Sequence, residues 1–149
     1  MHFFRFNKKN VNKSVDFIHI FVYTRIYGGG FMMIYRSDYV DAVRPFIDQP
    51  LVKILAGIRR CGKSTIFEML KEELIRRGIE PNHIISRIYT AMDIPANISA
   101  REMYDELLAE MQGKGRCYLF LDEIQEVDGW EKAVNSLLEN TDCDIYITG

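Results

Sequence analysis

The sequence predicts an α/β fold, a parallel sheet layered between helices, on three observations. Gly57-Ile58-Arg59-Arg60-Cys61-Gly62-Lys63-Ser64 spells G-x-x-x-x-G-K-S between an apolar strand-like run, Leu51 to Ala56, and a helix-like run, Thr65 to Arg77. Further on, Cys117-Tyr118-Leu119-Phe120-Leu121-Asp122-Glu123 is a continuous apolar run ending in two carboxylates, the pattern of a strand buried on both faces. From Ile34 onward, strand-like and helix-like segments alternate, as parallel strands joined by crossover helices require.

The elements follow in order. Ser37 to Ile47 reads as a short helix with Ser37 as N-cap and Pro45 near its end. Leu51 to Ala56 is a strand. The next helix carries Ile66, Phe67, Leu70 and Leu74 at helical spacing, with Glu72/Arg76 and Glu73/Arg77 as i,i+4 pairs and Gly78 as its stop. Pro81 opens a turn before a second strand, Ile84 to Tyr89. Ser99-Ala100-Arg101-Glu102 is a capping box, and the helix it opens points Met103, Leu107, Leu108 and Met111 to the core. Gly113 and Gly115 bracket a turn. Asp128 is expected to cap a helix from Gly129 to Glu139 with Trp130, Ala133, Val134, Leu137 and Leu138 inward, and Ile145 to Thr148 is another strand.

The chain has 149 residues, enough for one domain with a core, and its 48% apolar and 27% charged content is ordinary for a globular protein. A net charge of −2 gives no overall footprint for nucleic acid. Cys61, Cys117 and Cys143 are widely spaced and odd in number, which argues against a disulfide framework and fits a reducing cytoplasm. His2, His19 and His83 are scattered and form no metal-binding pattern.

Residues 1–31 differ from the rest. They carry Arg5, Lys8, Lys9, Lys13 and Arg25 against Asp16 alone, a net of +4, which leaves −6 for residues 32–149. The apolar stretch Phe17 to Tyr23 is too short for a membrane span, which needs about 20 apolar residues, and it meets Arg25 rather than a small-residue cleavage site. Gly28-Gly29-Gly30 precedes Met32 and Met33 and can be encoded by GGAGGAGGA, which resembles a bacterial or archaeal ribosome-binding sequence. Translation is therefore expected to start at Met32 or Met33, with 1–31 a doubtful extension and 32–149 a partial α/β core.

The G-x-x-x-x-G-K-S loop has a definite physical use. Its glycines permit turns that a Cβ would resist, and consecutive N–H groups form a nest for phosphate oxygens at a helix N-terminus. Gly57, Ile58, Arg59, Arg60, Cys61, Gly62, Lys63, Ser64 and Thr65 are thus the expected nucleotide-binding residues. Lys63 supplies a mobile cation for the β- and γ-phosphates, and Ser64 a hydroxyl for Mg²⁺. Asp122, at the C-terminal end of its strand, is the second expected Mg²⁺ contact, and Glu123 is the residue expected to orient and polarise an attacking water. Arg59 and Arg60 read either as extra phosphate or partner contacts or as flanking surface charges. Cys61 reads as a small spacer.

These blocks resemble a prokaryotic AAA-type ATPase family common in archaea and anaerobic bacteria. The resemblance rests on the loop within Leu51 to Leu70, on Tyr118 to Val127 with Trp130-Glu131, and on Ile145 to Gly149, and it covers about residues 34–149. It implies a three-layer P-loop fold of the additional-strand type, with the Ile145 strand between the loop strand and the Asp122 strand. It implies ATP and Mg²⁺ as ligands. An acidic residue soon after the second strand is also implied, and Asp93 is the nearest. The polar sensor residue, helical lid, arginine finger and C-terminal domain would follow Gly149. Without them the Leu51 strand is expected to be a raw sheet edge and the chain weakly soluble.

The leading functional expectation is ATP binding and Mg²⁺-dependent hydrolysis by an ATPase core, with Lys63 and Glu123 catalytic. The alternatives are an ATP-binding interaction module without turnover and a P-loop kinase for a small metabolite. No N-K-x-D base-reading motif favours GTP, and the acidic balance of 32–149 argues against a helicase. The expected partner is an unknown protein or the missing C-terminal domain; oligomerisation is left open, and neither nucleic acid nor membrane is indicated.

Overall fold

In the computed structural model, the described residues are 7–10, 16–22, 37–57, 61–95 and 97–149. Two strands come first, β1 (Asn7–Asn10) and β2 (Asp16–Val22). Helix α1 (Ser37–Val43) continues into a 3-10 turn, Arg44–Phe46, with Pro45 near the start of that turn, where a missing N–H costs nothing. Then come β3 (Leu51–Gly57), α2 (Lys63–Arg76), β4 (Ile84–Ile88), α3 (Ala100–Met111), β5 (Cys117–Asp122), α4 (Trp130–Asn140) and β6 (Cys143–Thr148).

The sheet order is β1-β2-β3-β6-β5-β4, and every neighbouring pair is parallel except β1 with β2. As the resemblance implies, β6 lies between β3 and β5. One expectation is corrected. The β3 strand is not a raw edge, because β2 pairs with it along all seven residues, from Asp16 opposite Leu51 to Val22 opposite Gly57. The stretch 1–31 lacks a clean alternating period, so its strands were not legible in the sequence.

Strand alternation divides the core. Leu119, Leu121, Ile145 and Ile147 face α3 and α4, where they meet Met103, Leu107, Val134 and Leu137. Tyr118, Phe120 and Tyr146 face the other way, toward α1 and α2, with Val40, Ile66, Phe67, Leu70 and Leu74. This gives three layers. Phe120 stacks on Tyr146 at 4.6 Å and meets Phe67 edge-on at 5.1 Å, arrangements that each add about 1 kcal/mol beyond area burial.

Local chemistry sets the helix ends. The capping box at Ser99 and Glu102 is present. Asp128 is not the cap of α4: Gly129 is, in a left-handed conformation (φ 73°), with no side-chain bond. Leu108 is 38% exposed rather than core. Arg77 pairs with Glu73 as expected, but Arg76 also turns to Glu73 rather than Glu72, and Arg44 joins them. Burial works to raise the Glu73 carboxyl, yet the hydrogen bonds from Arg77 and Arg44 prevail and hold it below the usual range. Whether the Ser37 side chain caps α1 lies outside what is described.

At the N-terminal ends of the strands lies a buried polar cluster. Lys53, in the middle of an apolar run, is fully buried and forms an ion pair with Asp144, which is also fully buried. Asp144 further accepts from the Tyr146 hydroxyl (2.7 Å) and the Asp48 N–H (3.0 Å), while Lys53 also donates to the Gln49 carbonyl (3.0 Å). Burial draws the Lys53 ammonium below its usual range against the pull of Asp144. Tyr118 donates to Asp48 at 2.8 Å. Cys117 and Cys143 stand opposite each other on β5 and β6, both free, and burial pushes both thiols up.

Candidate functional site

The opposite, C-terminal ends of the strands carry the expected site. The β3 strand runs out at Gly57, and Gly62 takes φ 95° at the N-cap of α2, a left-handed conformation that a side chain would strain. The expected binding residues Ile58, Arg59 and Arg60 lie outside the described residues. Cys61 is buried against the α2 face of the core, in keeping with a spacer. Lys63 is nearly buried and donates to the Gly57 carbonyl at 3.1 Å. Ser64 and Thr65 are exposed in the first turn of α2.

Asp122 ends β5 and is 7% exposed. Its Oδ2 accepts from the Ser64 hydroxyl at 2.8 Å, so two residues far apart in sequence share one point in space. Its Oδ1 accepts from Thr148 on β6. Hydroxyl and carboxylate oxygens at such a point suit a hard cation. Among the described residues no group of three or more His, Cys, Asp or Glu forms a metal cluster.

Glu123 follows in a left-handed conformation (φ 54°, ψ 44°), which costs a non-glycine residue on the order of 1–2 kcal/mol. The turn is held by the Glu123 N–H, which donates to Thr148 Oγ1 at 3.1 Å. The Glu123 carboxylate accepts from the Gln125 side-chain amide at 2.5 Å. Gly57, Lys63, Thr90, Glu123, Gln125, Glu126 and Gly149 line an open cavity of about 430 Å³. A larger depression, about 580 Å³, lies away from these residues, between the C-terminal ends of α3 and α4.

The structure therefore brings Gly57, Lys63 and Glu123 to one cavity and joins Ser64 to Asp122. Asp93 is exposed and does not line the cavity; Thr90 is the β4-side residue that does. Sequence reasoning missed Thr148 and Gln125. Thr148 closes the strand next to the loop strand and points a hydroxyl at Asp122, and its place as the last polar residue of an apolar strand was the available signal. Gln125 carries no signal outside the structure.

The AAA domain family matches residues 49–149. An uncharacterized protein of Haemophilus influenzae is 31% identical over 119 residues, which is 78% of this chain and 30% of that protein. An uncharacterized protein of Methanocaldococcus jannaschii is 31% identical over 103 residues, 66% of this chain and 21% of that protein. The chain thus spans less than a third of the length of these curated relatives. No solved structure matches it. Among the described residues no helix is long and apolar enough to cross a membrane.

Proposed function

Because the chain belongs to the AAA domain family, we propose that it binds Mg-ATP at the Gly57–Thr65 loop and hydrolyses it to ADP and phosphate. The observation that carries this reading is the Ser64 hydroxyl on Asp122 at 2.8 Å, beside Lys63 and within reach of Glu123's cavity. The loop N–H groups and the α2 N-terminus bind the phosphate oxygens, and Lys63 leaves the Gly57 carbonyl for the β- and γ-phosphates. Ser64 and Asp122 would hold Mg²⁺, with Asp122 fixed by the Thr148 hydroxyl. When bound, the cation would supply positive charge that offsets the negative charge developing in phosphoryl transfer.

Glu123 orients a water toward the γ-phosphorus. The water oxygen bonds to phosphorus, the bond from phosphorus to the bridging oxygen breaks, and the water proton passes to the Glu123 carboxylate. ADP leaves with the electron pair of the broken bond. The chain matches only a part of its longer relatives, so we read it as an ATPase core whose nucleotide state biases a partner domain or protein. Three free cysteines support a reducing, cytoplasmic setting.

Calorimetry of Mg-ATP binding with Lys63→Ala as control is the test, followed by phosphate release. Binding lost in Lys63→Ala and slow release by the unaltered chain are expected. A folded sample that binds nothing refutes the site. Binding without release refutes hydrolysis and leaves an ATP-binding interaction module.

A further inference from the structure

The geometry points to Gln125 as the positioning residue for Glu123, an inference that rests on the hydrolytic reading above. The residue is exposed on the short 3-10 turn Ile124–Glu126, directly after Glu123, and packing does not account for it. Its amide nitrogen donates to Glu123 Oε2 at 2.5 Å. The other end of the same amide lies against Gly149: a Cβ added there would come within 2.5 Å of the Gln125 oxygen. The amide is thus set between the Glu123 carboxylate on one side and bare backbone at the end of β6 on the other, and all three residues line the cavity.

The consequence is geometric. Glu123 has two points of control: its backbone N–H is tied to Thr148 Oγ1, and its carboxylate to Gln125. With Oε2 engaged by the amide, Oε1 is the oxygen left to receive a water proton, and the carboxylate plane is fixed toward the cavity. A free glutamate side chain would sample several rotamers, most of them aimed at solvent. Gly149 belongs to the device because a side chain there would displace the amide. The displaced atoms are the far end of a flexible side chain, so Gly149→Ala shifts Gln125 without disturbing the fold.

The test compares steady-state kinetics with Mg-ATP for the unaltered chain, Gln125→Ala and Gly149→Ala, with thermal melts as control. Gln125→Ala should lower kcat about ten-fold while KM for Mg-ATP stays within about two-fold, because orientation is lost and nucleotide contacts are not. Gly149→Ala should reproduce the fall in kcat, and the melts should coincide. An unchanged or raised kcat in Gln125→Ala, or a rise in KM that accounts for the loss, overturns the inference. A separate readout needs no turnover: the side-chain ¹⁵N–¹H₂ resonances of Gln125 in the ligand-free protein. They should move on Glu123→Ala. If the unaltered chain binds Mg-ATP without hydrolysing it, the hydrolytic reading fails on its own, and these resonances decide whether Gln125 holds Glu123. Resonances that stay in place overturn the contact itself.

Discussion

Removing Asp144 should destabilise the chain more than removing its partner Lys53. Both side chains are fully buried, so each depends on the other. Asp144→Ala leaves the Lys53 ammonium in the core with the Gln49 carbonyl at 3.0 Å as acceptor, and takes the acceptor from the Tyr146 hydroxyl and the Asp48 N–H. An uncompensated buried charge costs about 3–5 kcal/mol, and orphaned donors push the figure to the upper end, about 5 kcal/mol. Lys53→Met leaves Asp144 with its hydroxyl and N–H donors, so the lower end, about 3 kcal/mol, is expected. Against a total stability of about 5–15 kcal/mol, the first loss brings the chain near unfolding. Lys53→Met with Asp144→Leu should cost less than Asp144→Ala alone, because no charge remains. Urea unfolding at neutral pH, read from the single tryptophan, Trp130, gives all three values. A Lys53→Met cost equal to or above that of Asp144→Ala, or both below about 1 kcal/mol, would refute the reasoning.

Four further outcomes are expected. Glu123→Gln should keep Mg-ATP affinity and lower phosphate release about 10²–10⁴-fold; equal release would remove Glu123 from the chemistry. Thr148→Val frees both Asp122 Oδ1 and the Glu123 N–H, so turnover should need more Mg²⁺, and an unchanged Mg²⁺ dependence counts against it. Tyr118 is pushed up to about 12, by burial first and then by its bond to Asp48, and Tyr146 is raised in the same direction. A raised folded value stabilises fully below the ordinary tyrosine value of about 10 and is lost as pH climbs through the folded value, so unfolding should begin above about pH 10. Absorbance at the phenolate band alongside circular dichroism checks it, and both tyrosines ionising near pH 10 in an intact fold would contradict it. A chain starting at Met33 lacks β1 and β2 and bares the β3 edge, so light scattering should show more aggregation than for all 149 residues; equal monodispersity is the contrary result.

What the sequence determined by itself was contiguous. The G-x-x-x-x-G-K-S pattern sits between a strand and a helix start within a short stretch, so these residues announced β3 and α2. The Cys117–Asp122 strand declared itself because its apolar run up to Leu121 leaves no polar face. The capping box at Ser99 and Glu102 is equally local. Tertiary structure decided whatever depends on partners distant in the chain. Lys53 interrupts an apolar run, and only the arrival of β6 beside β3 supplies Asp144 and makes its burial tolerable. Thr148 is an ordinary polar residue until β5 and β6 pair and bring its hydroxyl to Asp122, and the Gln125 amide meets the Glu123 carboxylate only through the turn that follows β5. The β2 strand sits at the β3 edge through backbone bonds, which any sequence can donate, so no side-chain period announced it.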